Sequence, residues 1–193
     1  MGRSRTCSMR SSARKTPSEE PPYPLIPCAA MSWDPTLLRE VCFSLLEENR
    51  IMTLATWGAD GPWATPVIYA WEPTASGVSL FFMSRLSTRH VQNLSARSRV
   101  AAAIHPNDTR PLRGLQIEGT VALLRETEAL RAIRIYLRRF PRARRRFSIR
   151  AVVQESLDLR CFRFLAERIF VLSEEHFGWG NRGLLELVPH PET

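Results

Sequence analysis

Ile51-Met52-Thr53-Leu54-Ala55-Thr56, Trp63-Ala64-Thr65-Pro66-Val67-Ile68-Tyr69-Ala70-Trp71 and Val78-Ser79-Leu80-Phe81-Phe82-Met83-Ser84 decide the fold of this chain. Each is a short run rich in β-branched and aromatic residues, and Gly58–Gly61 and Glu72–Gly77 between them read as turns. A parallel crossover needs about a dozen residues or more, so the short connections make these runs an antiparallel meander.

Outward from the meander the pattern becomes mixed. Asp34-Pro35 reads as an N-cap followed by proline at the first helical position, and Leu37, Leu38, Val41, Cys42, Leu45 and Leu46 recur at helical spacing over about 35–48. After Ser84, Ser87 or Thr88 is positioned to cap a helix running to about Arg97, with Val91 and Leu94 inward. Val100–His105 and Leu115–Leu124 read as two more strands across the loop Pro106–Pro111, with Gly119 marking a bulge or close backbone approach. Thr127 caps a helix with Leu130, Ile133 and Leu137 on one face, ending by Phe140-Pro141, and Arg160–Leu172 supplies a last strand before a tail. The order of elements predicts an α+β protein, a small antiparallel β-barrel decorated by helices. No internal repeat is present.

Composition bounds the remainder. The chain has 193 residues, 44% hydrophobic and 24% charged, which fits one globular domain and excludes collagen-like, coiled-coil and wholly disordered classes. Residues 1–30 mix Ser, Arg and Pro with few aliphatic residues and read as a disordered basic tail, leaving 31–193 as the folded domain. Met31 stands just before the first helix, so translation starting there is one reading of the tail. No membrane span and no secretory h-region is visible, and a cytoplasmic protein is expected. The four cysteines lack any C-x-x-C pairing and read as reduced bystanders, Cys42 and Cys161 as small core residues.

The net charge of +8 is local: residues 1–30 are basic, and residues 138–150 hold seven arginines and no acid, while the rest is slightly acidic. That arginine cluster reads either as a solvated helix end or as a patch for phosphorylated substrate or nucleic acid. The literal G-x-G-x-x-G at Gly178–Gly183 has only ten residues after it, too few for a dinucleotide-binding unit, and reads as a tight terminal turn. The four histidines show no metal-ligand spacing, and no G-x-S-x-G elbow occurs, so neither a metal centre nor a serine hydrolase is indicated.

The segment Phe81–Leu94 carries the chemistry. A strand ends there and delivers Ser84, Ser87, Thr88, Arg89 and His90 to the start of a helix, where free N–H groups and the positive dipole end favour an anion. Arg89 offers a bidentate contact, a hydroxyl of Ser87 or Thr88 a further bond, and His90 a neutral donor or a cation. The pattern is that of a phosphate cradle.

Taken with Ile51–Thr56, Asp60–Val67 and Leu115-Gln116-Ile117-Glu118-Gly119, this segment resembles the pyridoxamine 5′-phosphate oxidase-like, FMN-binding split-barrel family over about residues 35–145. The resemblance implies that Thr65, Pro66 and Val67 run along a flavin ring, partly through backbone groups, and that Ser84 lies near the flavin. It implies that Thr88-Arg89-His90 take the place of a Ser-Arg-Lys phosphate grip, with His90 replacing lysine, and that Gln116 lies on a strand whose polar side chains face the flavin. It also implies a homodimer with the cofactor between subunits. The arginine and lysine that flank the ring-contacting strand in pyridoxamine-phosphate oxidases are Thr65 and Ala70 here, and no Arg-x-His signature surrounds Arg182. The expectation is therefore an FMN flavoprotein and oxidoreductase acting on a small molecule, not a true pyridoxamine-phosphate oxidase. The alternatives are a non-catalytic module binding flavin, the deazaflavin F420 or haem, and a nucleic-acid binder using the arginine loop. Because a flavin carries the reaction itself, no catalytic residue is singled out.

Overall fold

The computed structural model describes residues 33–74, 77–107, 110–145 and 158–187. The tail, Met31 and the later part of the arginine cluster lie outside these. Helix α1 (Pro35–Glu48) starts where Asp34 accepts a 2.9 Å bond from the Thr36 N–H, with Pro35 in the first turn. Strands β1 (Ile51–Gly58), β2 (Gly61–Thr74) and β3 (Gly77–Arg85) form the expected meander with longer strands and tighter turns. Gly61 takes φ +88°, where only glycine sits without strain, so the first turn closes on Ala59-Asp60 alone. There follow α2 (Arg89–Ala96), β4 (Arg99–Ile104), β5 (Arg113–Leu123), α3 (Glu126–Arg139), a 3-10 turn (Pro141–Arg145), β6 (Leu159–Ser173), the four-residue helix α4 (Glu174–Phe177) and β7 (Arg182–Glu186).

The seven strands run in the order β3-β2-β1-β4-β5-β6-β7, all pairings are antiparallel, and β3 also pairs with β6. That extra ladder closes a barrel. Strand β6 makes it possible through its length of 15 residues: one edge runs along β5, while the other pairs with β3 through Leu159–Leu165 and with β7 through Arg168–Leu172. The bulge expected at Gly119 is present, since the β5–β6 register shifts between Glu118 and Gly119 and a Cβ there would sit 2.0 Å from the Leu165 carbonyl.

Inward residues of the alternating strands, among them Met52, Leu54, Tyr69, Leu80, Phe82, Ile117 and Phe164, fill the barrel, with Phe82 and Phe162 stacked at 5.2 Å. Helix α1 adds Leu38, Val41, Cys42, Leu45 and Leu46 to that core. A second cluster forms outside the barrel, where Ala129, Ala132, Ile133 and Tyr136 of α3 cover Ala70, Phe81 and Cys161. Cys42 and Cys161 are buried in these layers as expected, and burial pushes both thiols up to about 12. No helix among the described residues is long and apolar enough to cross a membrane.

Three local expectations are corrected. Neither Ser87 nor Thr88 caps α2 through its side chain; Thr88 stands at the N-cap, but its hydroxyl donates 2.8 Å to the Arg85 carbonyl instead. Thr127 lies inside the first turn of α3, which begins at Glu126 after an Arg125 N-cap. Residues 182–186 are a strand rather than tail, because the unpaired edge of β6 beyond β3 needs a partner for its buried N–H and C=O groups. The glycine run before it does make the expected turn, with Gly178 at φ +78° and Gly180 at φ +75°.

Candidate functional site

Strands β2 and β3 pair only from Tyr69↔Phe82 to Thr74↔Gly77. Before Tyr69, β2 is paired with β1 alone, and after Phe82, β3 is paired with β6 alone. The barrel wall is therefore split between the two strands. Alternate backbone N–H and C=O groups of β2 up to Ile68 face the split with no strand ladder to satisfy them. Thr65 and Pro66 lie on this edge, half-buried and exposed respectively; Val67 is buried opposite Met52, so its side chain belongs to the core and only its backbone reaches the split.

Helix α2 sits at the mouth of the split. It is anchored by Val91 and Leu94 in the core and by Asn93, whose amide donates 3.0 Å to the buried Thr56 hydroxyl. Gly58 makes this seat possible, since a Cβ there would fall 1.9 Å from Asn93 Oδ1. The end of β3 and the start of α2 then converge. Ser84 Oγ lies 2.7 Å from His90 Nε2 and 3.2 Å from Thr88 Oγ1, and Thr88 Oγ1 is 3.3 Å from the same imidazole nitrogen. Ser84 and His90 are both buried, and burial lowers the His90 pKa below its ordinary value, favouring the neutral ring.

Arg89 leaves α2 toward the β1–β2 hairpin. Its Nη2 donates 3.0 Å to the Asp60 carbonyl and its guanidinium lies 4.5 Å from the centroid of the Trp63 ring. Its Nε is buried with no hydrogen-bond partner among the described residues. Because Thr88 turns its hydroxyl back to Arg85, no side chain among the described residues caps the first turn of α2. An orphaned guanidinium N–H on Arg89, the uncapped amides of the same helix start and the Ser84 hydroxyl are donors of the kind a phosphate takes.

The structure thus joins Ser84, Thr88 and His90 by hydrogen bonds, sets Arg89 on the same helix start with its guanidinium at the β1–β2 hairpin, and leaves two other expected residues apart. Ser87 donates 2.8 Å to Asp158 Oδ2, which turns it toward the residue just ahead of β6. Gln116 lies on the exposed face of β5, where its Oε1 accepts a 3.0 Å bond from Arg182. The ladder Pro66↔Thr53, Thr53↔Ala103, Ala103↔Gln116 sets it three strand spacings from β2, roughly 14 Å. Sequence reasoning missed Arg160, a buried residue directly opposite Ser84 in the β3–β6 ladder and so on the same face of the sheet. No local signal marks it, since the pairing joins residues far apart in the chain. Beside the split, a cavity of about 410 Å³ is lined by Ile68, Met83, Tyr136, Phe140 and Leu159, with Arg142.

An antiparallel barrel split between β2 and β3, with the start of α2 at the mouth, defines the class of protein. Within that class the match is specific: the family model described as pyridoxamine 5′-phosphate oxidase matches residues 38–170, and the chain belongs to that family. It is 33% identical over 101 residues to the UPF0306 protein YhbP of Salmonella schwarzengrund, covering 51% of this chain and 67% of that protein. Among solved structures, a haem-binding protein from Mycobacterium smegmatis superposes with a TM-score of 0.60 at 18% identity, over 81% of this chain and 60% of the other. An FAD-binding protein from Mesorhizobium loti superposes with a TM-score of 0.52 at 17% identity, over 68% of this chain and 89% of the other. At these identities the two structures establish the shared fold.

Proposed function

We propose that this protein is a cytoplasmic FMN-binding flavoprotein that carries out oxidation or reduction of a small molecule. The observation that carries the reading is the donor set at α2: the unpartnered Arg89 Nε, the uncapped first turn, and the Ser84 and Thr88 hydroxyls. Arg89 and the α2 amides hold the phosphate; Ser84 turns its hydroxyl from Thr88 to a phosphate oxygen, and Thr88 donates likewise once it releases the Arg85 carbonyl. The unladdered edge of β2 at Thr65–Val67 offers backbone donors and acceptors to the polar rim of a ring. FMN, when bound, supplies hydride and electron transfer at its ring. His90, kept neutral by burial, gives the phosphate a hydrogen-bonding group without the fixed charge that a lysine would add. With Thr65 and Ala70 in place of an arginine and a lysine on β2, the substrate is not pyridoxamine phosphate.

The working unit in this reading is a homodimer. The outer face of β1, β4 and the first part of β2, short of Ala70 where α3 covers the sheet, carries Ile51, Trp57, Pro66 and Ile68, with Ile51 54% and Ile68 46% exposed and directly opposite each other. An apolar sheet face of this kind suits a second copy of the chain. Such packing offers a route for Gln116, which is distant from the cradle of its own chain, to approach the partner's site.

The test is the absorption spectrum of the purified protein during titration with FMN, alongside Arg89→Ala. The reading expects flavin bands that shift on binding and an affinity lost in the variant. A Soret band on haem addition with no response to FMN would replace flavin by haem; a response to neither would remove the cofactor reading.

A further inference from the structure

The arginine-rich segment divides by what its members touch. Arg139 is structural: its guanidinium bonds the carbonyls of Leu46, Glu47 and Asn49 at 2.7–2.9 Å and pairs with Glu47. Arg142 lines the apolar cavity beside the split. Arg134, Arg138 and Arg144 do neither. Together with Arg131, Glu72, Ile135 and Leu137 they line a separate cavity of about 500 Å³, bounded by α3, the 3-10 turn and β2.

Glu72 is the one carboxylate in that lining, and it is paired with Arg131 at 2.9 Å. Among the described residues, no acid pairs with Arg134, Arg138 or Arg144. The helix dipole accounts for Arg138 in the last turn of α3 but not for Arg131 and Arg134 farther back. Arg131, Arg134 and Arg138 fall at i, i+3 and i+7 on one face, where like charges repel and weaken the helix. Arg144 is brought to the same cavity by the turn that follows Pro141, which adds a further like charge. Among the described residues the cavity therefore holds three guanidiniums without an acidic partner over the buried side chains of Ile135 and Leu137.

We propose that this cavity binds a compact oligophosphate, either free or as the phosphate chain of a nucleotide. Guanidinium forks match phosphate oxygens bidentately, and three unpaired cations balance the charge of about −3 that pyrophosphate carries near neutral pH. No aromatic side chain lines the cavity to stack a base, so a single-stranded nucleic acid finds charge but no platform. Occupancy would relieve the repulsion along α3, stabilising the helix that covers β2, β3 and β6 on the outside of the barrel.

Calorimetric titration of the full chain with inorganic pyrophosphate, tripolyphosphate, ADP and citrate tests this, with Arg134→Gln, Arg138→Gln and Arg144→Gln beside Arg39→Gln, an exposed α1 arginine away from the cavity. The expected result is saturable binding of pyrophosphate and tripolyphosphate, weakened about tenfold by each cavity substitution and unchanged by Arg39→Gln, with FMN titration unaffected in all four variants. Tighter binding of ADP than of pyrophosphate assigns the site to a nucleotide; equal binding assigns it to the free oligophosphate. Citrate binding as well as pyrophosphate, equal loss in Arg39→Gln, or binding of a single-stranded oligonucleotide with none of the small phosphates would overturn the proposal.

Discussion

Ser84 Oγ and His90 Nε2 stand 2.7 Å apart, both buried, at the junction of β3 and α2. The hydroxyl and that of Thr88 are the imidazole's close side-chain partners among the described residues, and burial disfavours the imidazolium. The folded His90 therefore titrates below 6.5 while the unfolded chain takes up the proton near that value. Stability from this pair is complete above the unfolded pKa and is lost as the pH falls toward the folded one. Urea midpoints measured at about pH 7.5 and about pH 5.5 should fall more in the native sequence than in His90→Asn, which keeps a partner for Ser84 and has no proton to gain. An equal fall in both would place the acid sensitivity elsewhere.

The same pair gives a ligand prediction under the flavin reading. Protonation of His90 adds a charge beside the phosphate, so FMN affinity should rise as the pH is lowered, and His90→Lys should bind FMN more tightly with a flatter pH profile. Fluorescence quenching of FMN across pH measures both.

Gly58 and Asn93 are matched to each other. A methyl group at 58 would strike Asn93 Oδ1, break its bond to Thr56 and push α2 from its seat. Gly58→Ala is expected to destabilise the fold by roughly 1–3 kcal/mol and to weaken binding at the cradle. Shortening the obstructing side chain in Gly58→Ala/Asn93→Ala should recover part of that loss, which a double-mutant cycle by chemical denaturation reads directly.

Arg139 ties two layers together. From the last turn of α3 it bonds three carbonyls at the C-terminus of α1, and its guanidinium lies 5.6 Å from the Tyr69 ring. Its ion pair contributes little because Glu47 is 71% exposed, so the carbonyl bonds carry the effect. Arg139→Ala should lower stability by roughly 2–3 kcal/mol, and Arg139→Lys should restore only part, since the three carbonyls converge on Nη2 and a single ammonium on a shorter side chain cannot also replace the Nη1 bond to Glu47. A lysine variant as stable as the native chain would show that charge alone matters.

Ile51 and Ile68 face each other across β1 and β2 on the outer sheet face, both exposed. Ile68→Glu is expected to convert the proposed dimer to a monomer in sedimentation equilibrium while leaving the far-ultraviolet spectrum unchanged. A native chain that is monomeric at all concentrations would remove the dimer reading.

The sequence by itself determined the elements whose information is local. The Asp34-Pro35 start of α1, the meander, the Gly119 bulge and the convergence of Ser84, Thr88, Arg89 and His90 within seven residues all follow from alternation, caps and turn chemistry. Tertiary structure alone decided what depends on pairing between distant segments. Closure through β3–β6 opposed Arg160 to Ser84, and the free edge of β6 drew residues 182–186 into a strand. The turn after Pro141 carried Arg144 back to the arginines of α3, while Arg139 left that cluster to bond the end of α1. Register across a barrel is set by which buried faces and unpaired edges find each other, and no window along the chain contains both partners.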